Sequence, residues 1–217
     1  MQVKRFLVLF LVLSLNLMAC KNQDPGGTTT VSTPTPTATF KMPEVDEIKE
    51  KTYTTFSKAT EDSEYLKLVE RGEIDWVKDI LSKKETNVNE RDKGNRSALI
   101  IAAKEGYVDL SKVLLEAKID INLQDAAGNT ALLHAVSRNN KELVNLLLDH
   151  KADVNIVDSM GMSPLMKAAG NGRNEMVEKL IARGANVKGK AKNGWTVLQF
   201  AEPYPETVAM LKKAGAK

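Results

Sequence analysis

Asp125-Ala126-Ala127-Gly128-Asn129-Thr130-Ala131-Leu132-Leu133-His134-Ala135-Val136 is the stretch on which the reading of this chain turns. It joins a turn-forming Asp and Gly to a Thr at a capping position, then to apolar residues at helical spacing. The same residue types return every 33 residues: Asn89, Asn122 and Asn155; Asp92, Asp125 and Asp158; Gly128, Gly161 and Gly194; Leu99, Leu132, Leu165 and Leu198. A fixed period of this length on turn formers and small apolar residues means one supersecondary unit copied and stacked, because no copy buries its apolar face alone. Such an array presents a surface and does not enclose a pocket.

Each part of the unit has a mechanical role. Asp and Gly suit a tight turn, with Gly supplying positive φ. Thr130 is placed to cap a short helix through its hydroxyl. Leu132 and Ala135 fall on one face of that helix, and Leu143, Leu146 and Leu147 form the predicted buried stripe of a second. The small Ala102, Ala135, Ala168 and Ala201 let the two helices approach closely. Ala152-Asp153-Val154-Asn155 closes the copy with another turn. Turn, helix, helix, turn predicts an all-α solenoid.

These residues resemble the ankyrin repeat. Ser163-Pro164-Leu165-Met166-Lys167-Ala168-Ala169 is a close copy of that family's Thr-Pro-Leu-His-x-Ala-Ala signature, and the match runs over residues 61–217. The resemblance implies stacked helix-turn-helix units with hairpin fingers projecting from the stack. The signature His is replaced in every copy, by Ile100, Leu133, Met166 and Gln199, which predicts looser fingers than a consensus array has. About five units are expected, the outer two acting as caps. Glu64 to Asn89 keeps both helices, with Leu66, Val69, Val77, Ile80 and Leu81 as its predicted buried set, but lacks the Asp-x-x-Gly finger. In the last copy, Lys190 to Lys217, Pro203 and Pro205 around Tyr204 end the first helix early.

Residues 1–19 read as an export signal. Lys4 and Arg5 precede an unbroken apolar run from Phe6 to Leu13, and Phe6 to Met18, interrupted by Ser14 and Asn16, is too short for a membrane span of roughly 20 residues. Leu17-Met18-Ala19-Cys20 resembles a bacterial lipobox, which implies cleavage before Cys20 and acylation of its thiol and amine. Cys20 is the chain's only cysteine; lipidation removes a lone thiol from an oxidising compartment, and more than one acyl chain gives stable anchoring. In lipoproteins a residue other than Asp after the cysteine goes with outer-membrane sorting, and Lys21 fits that pattern. Residues 20–60 are expected to form a disordered tether, rich in Thr and Pro at Thr33-Pro34-Thr35-Pro36-Thr37. Its reach is on the order of 35 Å. Val45, Ile48, Thr52 and Phe56 share one side of a short predicted helix after Pro43. The expected setting is the bacterial cell envelope, with the repeats held at the membrane through Cys20.

Charge and residue inventory narrow the function. The full chain carries +3; loss of Lys4 and Arg5 leaves 29 basic against 28 acidic residues. Basic and acidic residues interleave along the repeats, so no basic face for nucleic acid is built. His134 and His150 are the only histidines and have no carboxylate at a fixed spacing beside them, which gives neither a nucleophile-base set nor a metal site. Asp92, Asp125 and Asp158 occur once per copy, whereas calcium needs several oxygens within one loop. No catalytic residue, metal, cofactor or small-molecule substrate is therefore expected.

The resemblance implies a protein partner instead, met by the finger tips and the groove side of the first helices. In register these include Lys104, Arg138, Met160 and Tyr204, and the finger series Arg96, Asn129, Met162 and Trp195, which passes from cationic to aromatic. Met160, Met162, Trp195 and Tyr204 are expected to form an exposed apolar patch, with Trp195 either meeting a partner or covering the end of the stack. The predicted function is a membrane-anchored protein-protein interaction module that binds an envelope or extracellular protein. The alternative is an envelope-organising lipoprotein in contact with peptidoglycan or an outer-membrane complex.

Overall fold

The computed structural model describes residues 63–83 and 86–217. The candidate leader, Cys20, the tether and the Val45 to Phe56 segment lie outside those residues. Ten helices pair off along the described chain: α1 (Glu64–Glu70) with α2 (Ile74–Ser82), α3 (Ala98–Glu105) with α4 (Val108–Glu116), α5 (Ala131–Ser137) with α6 (Lys141–Asp149), α7 (Pro164–Ala169) with α8 (Asn174–Ala182), and α9 (Val197–Ala201) with α10 (Pro205–Lys213). The first helices form one row, α1 against α3, α3 against α5, α5 against α7 and α7 against α9. This is the all-α stack that the 33-residue period predicts.

A hydroxyl starts four of the first helices. Ser97 accepts from the Ile100 amide, Thr130 from Leu133, Ser163 from Met166 and Thr196 from Gln199. Each satisfies an N–H that a helix start leaves unpaired. Pro164 opens α7, where its missing N–H costs nothing. At the other end of the array α9 stops at Ala201 and Pro205 opens α10, so the two prolines shorten the last copy.

Ala102, Ala135, Ala168 and Ala201 are fully buried between the helices. On α6 the buried stripe is Leu143, Val144, Leu147 and Leu148. Leu146, expected in it, is half-buried, because a stripe centred between 143 and 148 leaves 146 at its margin. On α2 Val77 and Ile80 are buried and Leu81 is half-buried. Tyr65, passed over in the predicted core, is buried in the place that Leu99, Leu132 and Leu165 take in the inner copies; its hydroxyl has no hydrogen-bond partner among the described residues.

The period on Asn89, Asn122 and Asn155 has a cause beyond turn propensity. Each side-chain oxygen accepts a backbone N–H from the next copy: Asn89 from Asp120 at 2.8 Å, Asn122 from Asp153 at 2.9 Å and Asn155 from Asn186 at 2.8 Å. The fingers are tied in the same direction. The Ala126 N–H donates to the Gly94 carbonyl, Ser159 to Ala127 and Lys192 to Met160, each at 2.9 Å.

Such close stacking leaves no room for a side chain at the inner finger glycines, Gly128 and Gly161. A β-carbon on Gly161 would lie 2.8 Å from Lys192 N, and φ there is +76°. Gly194 holds the equivalent place with φ +85° and nothing within 4 Å. Gly161→Ala is therefore expected to cost clearly more than Gly194→Ala, whose penalty is the left-handed backbone alone, about 1 kcal/mol. Urea midpoints of the two variants check this, and equal losses would contradict the stacking.

Candidate recognition surface

Each inner finger is closed by its own Asp. Asp125 Oδ1 accepts from the Ala127 and Asn129 amides at 2.9 and 2.8 Å, and Asp158 Oδ1 from those of Met160 and Met162, both at 2.9 Å. The other carboxylate oxygen takes a side chain from the helix that follows. His134 Nε2 lies 2.8 Å from Asp125 Oδ2, and Lys167 Nζ lies 2.9 Å from Asp158 Oδ2. In the first finger Arg96 supplies this link, its Nε donating to Asp92 Oδ2 at 2.6 Å and its Nη2 to Glu70 Oε1 of the preceding copy at 2.7 Å.

These bonds correct the expectation of looser fingers. Ile100, Leu133 and Met166 fill the slot of the signature His with buried apolar side chains, and the polar link has moved one residue along, to His134 and Lys167. They also correct the reading of His134 as having no carboxylate beside it, because the fold returns the helix onto Asp125 across nine residues. His150 is exposed at the end of α6.

The finger series divides in two. Arg96 is committed to Asp92 and Glu70, and Asn129 is half-buried with its Oδ1 accepting from Lys167 Nζ at 3.3 Å. Met162 is half-buried against the core and so drops out of the expected exposed patch. Met160, two residues earlier at the tip, is 69% exposed, Trp195 48% and Tyr204 37%. Trp195 rests one side of its ring on Phe200, with centroids 5.3 Å apart at 53°. Tyr204 lies along Gly172, where a β-carbon would come within 2.4 Å of the ring. Lys104 is half-buried and Arg138 exposed.

Sequence reading passed over Lys167, Phe200, Arg173 and Arg183. Arg173 donates to the Val136 carbonyl and, at 3.1 Å, to that of Ser137; Arg183 donates to the Leu148 carbonyl and, at 2.7 Å, to Asp149 Oδ1. Two cations of the fourth copy thus add a second donor at the carbonyl ends of α5 and α6. The signal that would find them is a cation slightly more than one period beyond a helix end. On the second helices Lys141 and Lys179 flank Glu175 and pull its pKa down to about 2. That triad is exposed, and such pairs contribute little to stability.

The finger carboxylates carry more consequence. Burial pushes the pKa of Asp158 up, but the Lys167 hydrogen bond, the Met162 and Met160 amides and the Lys167 charge pull harder, leaving it below its ordinary value. Asp125 is likewise lowered, where burial opposes the bonds from His134, Asn129 and Ala127. A carboxyl depressed on folding contributes stability that is fully present above its unfolded pKa of about 3.9 and is lost as pH falls through the folded value. Asp158→Asn is therefore expected to cost about 2 kcal/mol at neutral pH and to flatten the loss of stability below about pH 4. Urea unfolding as a function of pH measures both effects.

Family comparison agrees with this geometry. A model of three ankyrin-repeat copies matches residues 66–158, and a second ankyrin-repeat model matches residues 147–201. No curated protein matches the chain. The two matches take in more than half of the 217 residues and run from α1 to α9. With its capped helix pairs, Asp-closed fingers and inter-copy ladder, the chain belongs to the ankyrin-repeat family, whose stacks act as protein-protein interaction modules.

Proposed function

We propose that this protein is a membrane-anchored interaction module, held in the bacterial cell envelope by lipidated Cys20 and binding an envelope or extracellular protein through the concave face of its repeats. One observation carries the binding half of this reading. Met160, Trp195 and Tyr204 stay open to solvent on the last two copies, while Arg96 and Asn129 on earlier fingers, and Met162 on the Met160 finger, are engaged within the stack. Met and large aromatic side chains are the usual anchors of interfaces. Phe200 holds the Trp195 ring in place, so little conformational freedom is lost when a partner covers it. Lys104 and Arg138 supply the polar rim. The lipobox at Cys20 supports the envelope setting, and Lys21 fits outer-membrane sorting.

A photo-cross-linker placed at Trp195 in the living bacterium identifies the partner by mass spectrometry. Met160→Ala combined with Trp195→Ala is expected to weaken binding of that protein by roughly a hundredfold. The loss of the Phe200 contact costs about 1 kcal/mol of stability, so the domain stays folded. Unchanged affinity, or cosedimentation of the chain with cell-wall glycan in place of a protein adduct, would sink the reading. Cys20→Ser is expected to move the protein from the membrane pellet to the soluble fraction, and retention in the pellet would remove the anchor.

A further inference from the structure

Positions 123, 156 and 189 are equivalent in the 33-residue register, and they hold Leu123, Ile156 and Gly189. The last copy has lost an aliphatic side chain that the two inner copies keep. A β-carbon built on Gly189 would stand 3.5 Å from the Met166 methyl carbon, an ordinary contact, so the missing side chain is one that would point at Met166. A cavity of about 320 Å³ occupies that space, lined among others by Val157, Ser163, Met166, Gly189 and Lys190. Its inner wall includes Met166, which is 2% exposed, and Val157 beside it is 43% exposed. Val157 is one of four large apolar side chains open to solvent among the described residues.

The hydrogen bonding at this place is also incomplete relative to the copy before. Gln124, equivalent to Val157, donates from Nε2 to the Gly128 carbonyl at 2.7 Å and to the Val157 carbonyl of the next copy at 3.0 Å. Val157 has no donor. The equivalent carbonyls, those of Gly161 and Lys190, receive no side-chain amide among the described residues. Lys190 lines the opening; it and its chain neighbours Lys188 and Lys192 are all exposed and make no ion pair among the described residues, and the segment from Val187 to Gly194 contains no acid.

A slot with Met166 and Val157 on its apolar side and Asn155 and Asn186 on its polar side, open carbonyl acceptors and unpaired cations describe one complementary chemistry. We propose that the gap at Gly189 is a docking site for an extended acidic peptide segment of a protein partner. An aliphatic side chain of the segment fills the place that Leu123 and Ile156 take in the inner copies, and a backbone amide beside it donates to the Gly161 or Lys190 carbonyl. Flanking carboxylates meet Lys188 and Lys190. A membrane surface offers negative charge to the same lysines but no side chain to fill the slot and no extended backbone to supply the donors. The site lies at the finger bases and does not depend on the Met160, Trp195 and Tyr204 surface.

The test uses the full-length chain and a fluorescent acetylated Glu-Glu-Leu-Glu-Glu amide, read by polarisation. Saturable binding is expected, weakened roughly tenfold when the peptide's Leu becomes Ala. Gly189→Leu, which fills the slot as the inner copies do, is expected to cost a similar factor and to raise the melting temperature. Lys188→Glu with Lys190→Glu weakens binding by roughly tenfold or more, whereas Lys212→Glu on α10 changes it by less than about twofold. The peptide change alone keeps the test valid should a protein variant misfold. Absence of saturable binding, equal affinity for the Ala peptide, or an equal loss from Lys212→Glu overturns the proposal. So does binding to phosphatidylglycerol vesicles that Gly189→Leu abolishes, with none to the peptide, because that assigns the slot to lipid.

Discussion

The rest of the molecule depends on one backbone hydrogen bond per copy, given by a finger N–H to the carbonyl of the finger before it. That bond, repeated from Ala126 to Gly94, Ser159 to Ala127 and Lys192 to Met160, sets the distance between copies. At that distance the backbone of one finger touches the turn of the next, and Gly161 has no room for a β-carbon. The same spacing brings the Asn89, Asn122 and Asn155 side chains to an amide of the following copy. Net hydrogen-bond contributions of about 1 kcal/mol each are smaller than the burial of a leucine row. Apolar packing therefore supplies most of the stability, while the polar ladder selects the register in which the packing occurs. Each copy meets only its neighbours, as in any solenoid.

Electrostatics follow from that register. A finger Asp is fixed by its own turn amides and then reached by a cation or imidazole from the adjoining helix, as Asp125 is by His134 and Asp158 by Lys167. Arg96 and Lys167 go further and tie their finger to the preceding copy through Glu70 and Asn129. The charges most conspicuous in the sequence are thereby spent inside the array. Lys188, Lys190 and Lys192, by contrast, stay exposed with no ion pair among the described residues.

Among the described residues no further finger stacks on the last copy, and that copy departs from the pattern of the others. Trp195 and Phe200 occupy the places where Arg96, Asn129 and His134 or Lys167 make polar links in earlier copies, and Gly189 replaces an aliphatic residue. A position with no next copy to hold is free to change without breaking the ladder. Both features proposed for recognition, the aromatic tip and the empty slot, arise where that constraint lapses. Architecture and binding are thus separated along the chain.

Much of this was legible in the residues alone, and the limit is physical. The period, the Ser and Thr caps at 97, 130, 163 and 196, the early stop of α9 before Pro203 and the buried alanines are local or strictly periodic, and a linear pattern states them directly. The pairing of His134 with Asp125, the reach of Arg173 to the end of α5 and the placing of Tyr65 in the core depend on which groups the stack brings face to face. Met160 and Met162 make the point most simply, since they are two residues apart and alike in chemistry. The sequence by itself determined the repeating unit, its helix pair and its turn. Only the tertiary structure decided which side chains remain free, because their competitors for contact come from a neighbouring copy and from the direction in which each finger turns.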